Sequence, residues 1–477
     1  TGANNVAIGN ETLLANTTAS NNTAVGFQAL DANTTADRNT AVGANAASTN
    51  TTGTRNVAVG YDALFSNTDG NYNTAMGDIA LRENTTGDYN TGVGIAAGEK
   101  ITTGLRNTAV GAEALDATTT GLDNTAIGKG ALGANTTASS NVAVGKSALE
   151  DNTTGASNTG VGRGALGNNT TSPNNVAVGY NALDAQTTGA GYNVAVGYLS
   201  LTANTSGTEN TASGWNALGA NTTGSFNTAY GGGALDANTT AANNTAVGHK
   251  ALTDNTTGAQ NTAVGRQALE DTTSGAYNSG FGYRAGVSIT TGNYCTSVGN
   301  NANTTTTTAE GVTIVGYNCQ PSGATVGNEL VIATNGMTGK GSQTAFINGG
   351  NGPTFNGNNT TTFAQTSDRR IKKDIIPNNK GLESIKQIEP KYFYYKSDEE
   401  MQAELPNAKE GLPLDKQFTS AIAQELKEIF PEAIEERTEN KIMSVNTDPI
   451  FWSMVNAIKE LSTQLDTAVA RIAELEG

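Results

Sequence analysis

A glycine recurs with a 17-residue period through most of this 477-residue chain, and this spacing constrains the fold more than any other feature. It runs from Gly9 to Gly179, and after one extra residue it resumes at Gly197 and continues to Gly316, which gives 19 copies. A fixed period over so many copies is typical of architectures in which each unit packs only on its neighbours. The spacing therefore predicts a stacked array rather than one compact domain.

Each copy carries the same pattern of side chains around its glycine. The residue before the glycine is apolar in every copy except at Ser213, and the residue two positions earlier is β-branched except at Ser279. A small residue, usually Ala, lies between them, and this alternation is typical of a short strand with two faces. The glycine then ends the strand where a Cβ would obstruct the turn or a neighbouring backbone.

Stacked coils bury apolar groups that a single coil leaves exposed. The pattern predicts one column of the residues before the glycines, mostly Val, and a second column of Leu four residues after the glycine in 14 copies. An Asn stands four residues before the glycine from Asn5 to Asn278, which predicts a hydrogen-bonded ladder of amides. The recurring Asn-Thr-Thr-Gly segment predicts the turn. Disordered low-complexity sequence is the alternative, but disorder gives no reason for the apolar residues to keep a fixed phase.

The composition fits an array and argues against several classes of partner. Aromatic residues make up 6% of the chain and charged residues 15%, with a formal net charge of −16. This charge argues against nucleic acid and against an anionic membrane surface, and without a run of about 18 apolar residues we expect no membrane insertion. Cys295 and Cys319 are expected to be buried thiols and His249 a solvated side chain, so neither a metal site nor a cofactor is predicted.

The Asn-x-Ala-Val-Gly units resemble the head repeats of YadA-type trimeric autotransporter adhesins, over roughly residues 1–318. The resemblance implies a trimeric, left-handed parallel β-roll, in which three chains pack around one axis. The family's unit is usually shorter than the unit of this chain, so a longer turn is expected here. The fold class predicted is therefore mainly β, with 17-residue coils.

The composition changes sharply at Ser367. Residues 367–477 contain 15 Lys and Arg and 21 Asp and Glu, whereas the 366 residues before them contain only 12 and 22. Between residues 319 and 366 the repeat dissolves into short apolar pieces between Gly and Asn turns, which we interpret as a β neck. Three parts are thus predicted: a β-roll over 1–318, the neck over 319–366 and a small α+β domain over 367–477.

The segment that opens this last part resembles the self-cleaving intramolecular chaperone domain of endosialidase-type tail spikes, other phage fibres and myelin regulatory factor. The family's pattern Ser-Asp-x-Arg-x-Lys-x-x-Ile is matched from Ser367 to Ile375, and Ile422-Ala-Gln-Glu-Leu426 matches a later block. Two positions depart from the family: Ser420 stands where Gly is usual, and Thr447 where Tyr is common.

The resemblance implies autoproteolysis between Thr366 and Ser367, with Asp368 and Arg370 as supporting residues of the motif. A serine hydroxyl needs a base to take its proton. Lys372 is the candidate, by resemblance to Ser-Lys dyads, and neighbouring cations would favour its neutral form. The expected activity is a single-turnover serine peptidase. A solvated charged linker is the alternative interpretation of these residues.

The final segment, at about 448–476, predicts a helix with a heptad seam. A seam of this kind favours a coiled coil between chains, although Trp452 and Val455 widen the stripe and one face packed on its own domain is the alternative. The seam residues are spaced alternately three and four apart: Phe451, Met454, Ile458, Leu461, Leu465, Ala468, Ile472 and Leu475.

These observations together predict a homotrimeric phage tail fibre in the virion that attaches to a host glycan or outer-membrane protein and joins upstream tail or fibre proteins. A bacterial cell-surface adhesin is one alternative, and columns of Thr suggest ice binding as another. A third alternative is a glycan depolymerase, which needs two carboxylates close together in a groove. Acids such as Asp31, Asp116, Glu150 and Asp184 are scattered over turn positions, and no copy of the repeat is singled out by them. The missing initiator Met predicts that further chain precedes Thr1.

Overall fold

The computed structural model describes residues 2–348, 354–356, 364–365, 375–394, 396–397, 400, 417–436 and 443–476. The chain divides into two compact units, Thr1–Thr366 and Ser367–Gly477. Each unit is described here by itself.

The first unit is a parallel β-solenoid, which confirms the predicted fold class of 17-residue coils. Each coil contributes one short strand that ends at the repeat glycine. The strands are β1 Val6–Ile8, β2 Thr23–Val25, β3 Thr40–Val42, β4 Val57–Val59, β5 Thr74–Met76, β6 Thr91–Val93, β7 Thr108–Val110, β8 Thr125–Ile127, β9 Val142–Val144, β10 Thr159–Val161, β11 Val176–Val178, β12 Val194–Val196, β13 Thr211–Ser213, β14 Thr228–Tyr230, β15 Thr245–Val247, β16 Thr262–Val264, β17 Ser279–Phe281, β18 Thr296–Val298 and β19 Thr313–Tyr317.

The pairing register follows the repeat. Thr23 pairs with Thr40 and Thr40 with Val57, so that equivalent positions stack directly. Between β11 and β12 the step is one residue longer, because Val176 pairs with Val194. The extra residue is therefore absorbed in the turn before β12, and the strands on both sides keep their phase.

The solenoid interior is built from Ala and Leu. The central residue of most strands is a fully buried Ala, such as Ala24, and Leu30 in the following turn is also fully buried. The predicted Leu column is thus confirmed, but the Val column is not part of this interior. Val42, Met76 and Tyr230 in that column are 37%, 45% and 63% exposed. In a three-residue strand only the central side chain points inward, so the residue before the glycine lies on the outer face.

The predicted Asn ladder is present, with the backbone as donor. Asn39 Oδ1 accepts from the backbone N–H of Asn56 at 2.8 Å, and Asn56 Nδ2 donates to the carbonyl of Gly70 at 2.8 Å. A second buried column is formed by the Asn of Asn-Thr-Thr-Gly, which the sequence had indicated only as a turn residue. Here the amides bond each other directly: Asn67 Nδ2 donates to Asn50 Oδ1 at 2.7 Å.

The repeat glycines are required by both conformation and space. Gly43 has φ +140°, and a Cβ on it would lie 2.2 Å from the carbonyl oxygen of Gly60 in the next coil. A side chain there would separate the coils, because real Cβ contacts are never so short. The close approach predicted from the sequence is confirmed.

Four more strands follow in the segment predicted as a neck: β20 Leu330–Asn335, β21 Ala345–Asn348, β22 Thr354–Asn356 and β23 Ala364–Gln365. The first two extend the sheet in parallel, whereas β22 and β23 pair in antiparallel fashion. Glu329, immediately before β20, is buried and accepts from the backbone N–H groups of Ser322 at 2.9 Å and Gly341 at 2.7 Å.

The second unit is a small α+β assembly around a buried cluster of Leu426, Phe430 and Ala433. Two antiparallel strand pairs lie among its helices, Lys391–Phe393 with Phe418–Ser420 and Ile434–Glu436 with Met443–Val445. Its elements are α1 Leu382–Ile385, β24 Lys391–Phe393, β25 Phe418–Ser420, α2 Ala423–Ile429, a 3₁₀ turn Pro431–Ala433, β26 Ile434–Glu436, β27 Met443–Val445 and α3 Asp448–Glu476. Among the described helices none is both long enough and apolar enough to cross a membrane.

Candidate functional site

The predicted cleavage motif lies outside the described residues. This applies to Thr366, Ser367, Asp368, Arg370 and Lys372. The described chain resumes at residue 375, and the few residues that follow show how the segment leaving the motif is held.

This segment is attached to the polar face of α3. Asn378 Nδ2 donates to Ser453 Oγ at 3.1 Å, and Asn456 Nδ2 donates to the carbonyls of Asn378 at 2.9 Å and Lys380 at 3.2 Å. One turn further along α3, Glu460 Oε2 accepts from the backbone N–H of Leu382 at 2.8 Å. Because backbone groups as well as side chains are bound, these contacts fix the path of the chain.

Gly381 allows this close approach. A Cβ at this position would lie 2.0 Å from Glu460 Oε1, so any side chain would displace the carboxylate. Gly381 and Glu460 thus bring the start of α1 directly onto α3.

Lys380 ties the same segment to the end of α2. Its ammonium donates to the carbonyl of Ile429, lies 3.1 Å from Glu432 Oε2 and stands 4.6 Å from the ring centroid of Phe430. Phe430 is fully buried. Lys380 therefore has a structural role, because its ammonium makes a hydrogen bond, an ion pair and a cation–π contact within this unit. We call Asn378, Lys380, Ser453, Asn456 and Glu460 the clamp.

The C-terminal unit is similar to a known protein family. Residues 367–435 match the peptidase S74 family, described as chaperone of endosialidase. The C-terminal unit contains a chaperone-of-endosialidase domain. The match begins at Ser367, the predicted nucleophile, and ends within β26.

Helix α3, which follows the matched residues in the same unit, has two different faces. Ser453 of the clamp and the nearby Ala457 are buried, whereas the heptad seam is exposed, from 41% at Met454 to 81% at Leu475. Within the described residues, the seam therefore does not pack on its own domain. An apolar stripe of this length left in water indicates a surface for association.

Beyond the chaperone domain, the acids considered for glycan hydrolysis lie along the solenoid. Partial burial raises the pKa of Asp116, and partial burial together with Asp151 raises the pKa of Asp184. These two carboxyls stand at equivalent positions four coils apart. Their separation is on the order of 19 Å at about 4.8 Å per coil, so the structure does not bring them together.

Both cysteines are buried and unpaired, as expected, and burial raises the pKa of the Cys295 thiol. Over the described residues, no group of three or more His, Cys, Asp or Glu is placed to hold a metal ion.

The clamp residues were not identified from the sequence. Their only signal is that Asn456 and Glu460 are polar residues four apart on the face of α3 opposite the seam. Such residues are ordinary on a solvated helix face, so the pattern alone does not distinguish a clamp from solvent-exposed polar residues.

Proposed function

We propose that this chain is a segment of a trimeric phage tail fibre, carried in the virion, that attaches to the host surface. Its C-terminal chaperone domain assembles three chains and then cuts itself off between Thr366 and Ser367. The observation that carries the proposal is the exposed heptad seam of α3 in a unit that contains a chaperone-of-endosialidase domain.

The outer face of the solenoid supports the trimer independently. The residues before the repeat glycines form a mostly apolar column along the rod that stays partly exposed in one chain. Three such columns facing a common axis would bury one another, and the seam of α3 would do the same for the C-terminal helices. The test is light scattering on the uncleaved Ser367→Ala protein, which should give three chains per particle. A monomer at micromolar concentration would refute the trimer.

The proposed cleavage is an acyl transfer. Neutral Lys372 accepts the proton of the Ser367 hydroxyl while Ser367 Oγ attacks the carbonyl carbon of Thr366. The C–N bond to Ser367 breaks, the amine takes up the proton, and water hydrolyses the resulting ester. The products are a fibre that ends at Thr366 and a chaperone domain that begins with Ser367.

N-terminal sequencing of the released fragment tests this mechanism and should read Ser-Asp-Arg-Arg. Ser367→Ala and Lys372→Ala should each leave the chain intact, and Lys386→Ala, which removes an exposed lysine outside the motif and the clamp, is the matched control. Efficient cutting in Ser367→Ala or Lys372→Ala would remove that residue from the mechanism.

The clamp has a role in this proposal, since it holds the chain six residues after Lys372. Glu460→Ala removes the acceptor of the Leu382 N–H and should slow cleavage without changing the cleavage point. Glu460→Gln, which keeps an acceptor oxygen, should restore most of the rate. If Glu460→Ala cleaves as fast as wild type while its trimer is intact, the clamp does not position the motif.

Attachment is tested on the cleaved solenoid. Labelled solenoid trimer should bind to bacterial cells, and an antibody against it should label the tails of intact phage particles. Labelling of bacterial surfaces in the absence of phage would favour the cell-surface adhesin instead.

Glycan hydrolysis is a second candidate, favoured by one pair of acids. Asp254 and Asp271 occupy equivalent positions in adjacent coils, about 4.8 Å apart along the stack, which is near the spacing of retaining glycosidases. Partial burial, then Glu270 and Asp254, raises the pKa of Asp271, as a general acid requires. The test is release of reducing sugar from host polysaccharide by wild type and by Asp271→Asn. Release that Asp271→Asn abolishes would establish the depolymerase.

A further inference from the structure

One coil of the solenoid lacks a side chain in a column where all the others have one. The column is formed by the residue directly after each repeat glycine, and Gly232 is its only glycine in 19 copies. Its neighbours in the coils before and after are Trp215, which is 58% exposed, and His249, the single histidine of the chain. The missing side chain thus leaves a gap between two rings.

The fold does not need a glycine here. Gly232 is not among the residues with positive φ, and a Cβ on it would lie 3.7 Å from His249 Cδ2 and 4.0 Å from Trp215 Cε3. These are ordinary van der Waals distances. By contrast, the preceding Gly231 has φ +135° and its Cβ would lie 2.6 Å from Gly248. Gly231 is therefore required by the packing of adjacent coils, whereas the effect of Gly232 is to leave a gap in the column of side chains.

The gap is at most one ring wide. Since a Cβ on Gly232 would lie within 4.0 Å of an atom of each ring, Trp215 and His249 are at most about 8 Å apart there. A group between them would contact both rings at about 3.5–4.0 Å, the optimum for dispersion. We call this gap the Trp215–His249 slot.

Polar groups border the slot on its second side. The next residue, Gly233, also lacks a side chain, and its Cβ would lie 3.7 Å from Lys250 Cγ. Asn216 is the residue one coil before Gly233, and its Nδ2 donates to Asp236 Oδ1. An amide and an ammonium beside a ring-lined gap supply directional hydrogen bonds to a ligand that also has an apolar face.

Exposed rings extend the slot along the rod. In the same column Tyr180 and Tyr198 stack with centroids 5.3 Å apart, and Tyr198 is directly followed by Trp215 in the next coil. A ligand with several rings in a row would therefore find a continuous track of aromatic faces that leads into the slot.

The charges around the slot decide the class of ligand. Lys250 Nζ lies 4.0 Å from Glu270, and Asp236 stands beside Asn216, so cationic groups are not in excess. The column also carries Lys129 and Lys146, and such charges are depleted from the core of protein–protein interfaces. We therefore infer that this column lies outside the proposed contact between chains. We propose that the Trp215–His249 slot binds a pyranose ring of a neutral glycan, with neighbouring sugars along Tyr198 and Tyr180.

This inference rests on the proposed attachment function, and its test is arranged to separate the two. In the full chain carrying Trp452→Phe, Trp215 is the sole tryptophan and reports occupancy of the slot by fluorescence. The probes are neutral hexasaccharides of glucose, galactose, mannose and N-acetylglucosamine, with oligosialic acid as the charged comparison.

We expect at least one neutral probe to shift the Trp215 emission. Gly232→Tyr should fill the slot without strain, because Tyr occupies this column in other coils, and should weaken binding roughly tenfold or more. His249 lines the other side of the slot, so His249→Ala in the Trp452→Phe protein should also weaken binding roughly tenfold or more. Tyr61→Ala removes an exposed ring of the same column far from the slot and should leave affinity unchanged.

The inference is overturned if no probe shifts the emission, if only oligosialic acid does, or if Gly232→Tyr binds as well as the parent protein. Cell attachment is measured in parallel. If Gly232→Tyr still attaches to cells as wild type does, the slot is not the receptor site, while the fibre proposal stands. Binding of a neutral probe through the slot by a chain that attaches to no bacterium supports the slot and refutes the attachment function.

Discussion

Removing one amide from the second Asn column should open the solenoid locally. Asn67 is fully buried; its Nδ2 donates to Asn50 Oδ1 at 2.7 Å and to the carbonyl of Gly70 at 3.0 Å, and its Oδ1 accepts from Asn84 Nδ2 at 2.7 Å. Asn67→Ala deletes all three hydrogen bonds at once.

The loss of stability in Asn67→Ala depends on which hydrogen bonds remain to each former partner of Asn67. Gly70 still accepts from Asn56 Nδ2, and Asn84 still donates to Gly87, so each loses about 0.5–1.5 kcal/mol. Asn50 Oδ1 is left buried without this donor, which costs about 1–3 kcal/mol. The total is about 2–6 kcal/mol, which is a substantial part of the stability of a typical domain.

Two further substitutions at Asn67 separate the hydrogen bonds from the shape. Thr occupies the same column at Thr118, whose hydroxyl accepts from Asn135 Nδ2 at 3.0 Å, so Asn67→Thr should cost roughly half as much. Asn67→Asp keeps the shape but sets a carboxylate against Asn50 Oδ1. It should be the most destabilising at neutral pH and should recover on acidification, because a buried carboxyl protonates more readily in the folded state.

Hydrogen exchange read by mass spectrometry is the assay, since loss in a linear array stays near its origin. Amides of the coils around Asn67 should exchange roughly thirty-fold to twenty-thousand-fold faster in Asn67→Ala. Thr86→Ala, at an exposed position of the next coil, is the control. Equal exchange in Asn67→Ala and Thr86→Ala would refute the structural role of the amide column.

Three further outcomes are expected. Gly43→Ala should lower the thermal denaturation temperature, because Gly43 has φ +140° and a new Cβ would lie 2.2 Å from a carbonyl oxygen of the next coil. Gly232→Ala should denature like wild type, because its Cβ would have no contact under 3.7 Å. Equal loss of stability in both variants would contradict the packing described. Leu461→Asp on the exposed seam should abolish the trimer in light scattering, while Asp466→Ala off the seam should not. The folded-state pKa of Asp184 is raised above its ordinary value of 3.8, so the folded state holds this proton more tightly and the coil gains stability as pH falls through that raised value. Asp184→Asn should remove this acid-side gain in a pH series of hydrogen exchange, and an unchanged pH profile would count against the burial effect.

The repeat was predictable because one coil constrains the next. The period, the strand, the Leu30 column and the insertion before β12 all follow from spacing that is visible in the sequence. The burial of Ala24 rather than Val25 could not be inferred so directly, because alternation defines two faces without saying which one points inward. Its more apolar side chain made Val25 the expected inward residue. The narrow interior already contains Leu30, so only a small side chain such as that of Ala24 fits beside it.

The second Asn column and the clamp show a different limit. Asn67 has the composition of a turn residue and also performs that role, so nothing in the sequence reveals that its amide bonds the next coil. Asn456 and Glu460 bind backbone groups of a segment far earlier in the chain, at Asn378 and Leu382, and one sequence does not show such pairs. The cleavage motif itself was identified by resemblance, and the roles of Ser367 and Lys372 stay predictions.

The way in which the solenoid absorbs its one extra residue has a consequence for how such a rod varies in length. Val176 and Val194 pair as if the longer coil were an ordinary one, because the insertion is confined to a turn. Each coil meets its neighbours through the same glycine, Ala and Asn positions, so whole coils are interchangeable units. Duplication or loss of one coil would change the reach of the rod by about 4.8 Å and leave every contact type intact. The length of the solenoid can thus change in steps of one coil while the fold of every coil stays the same.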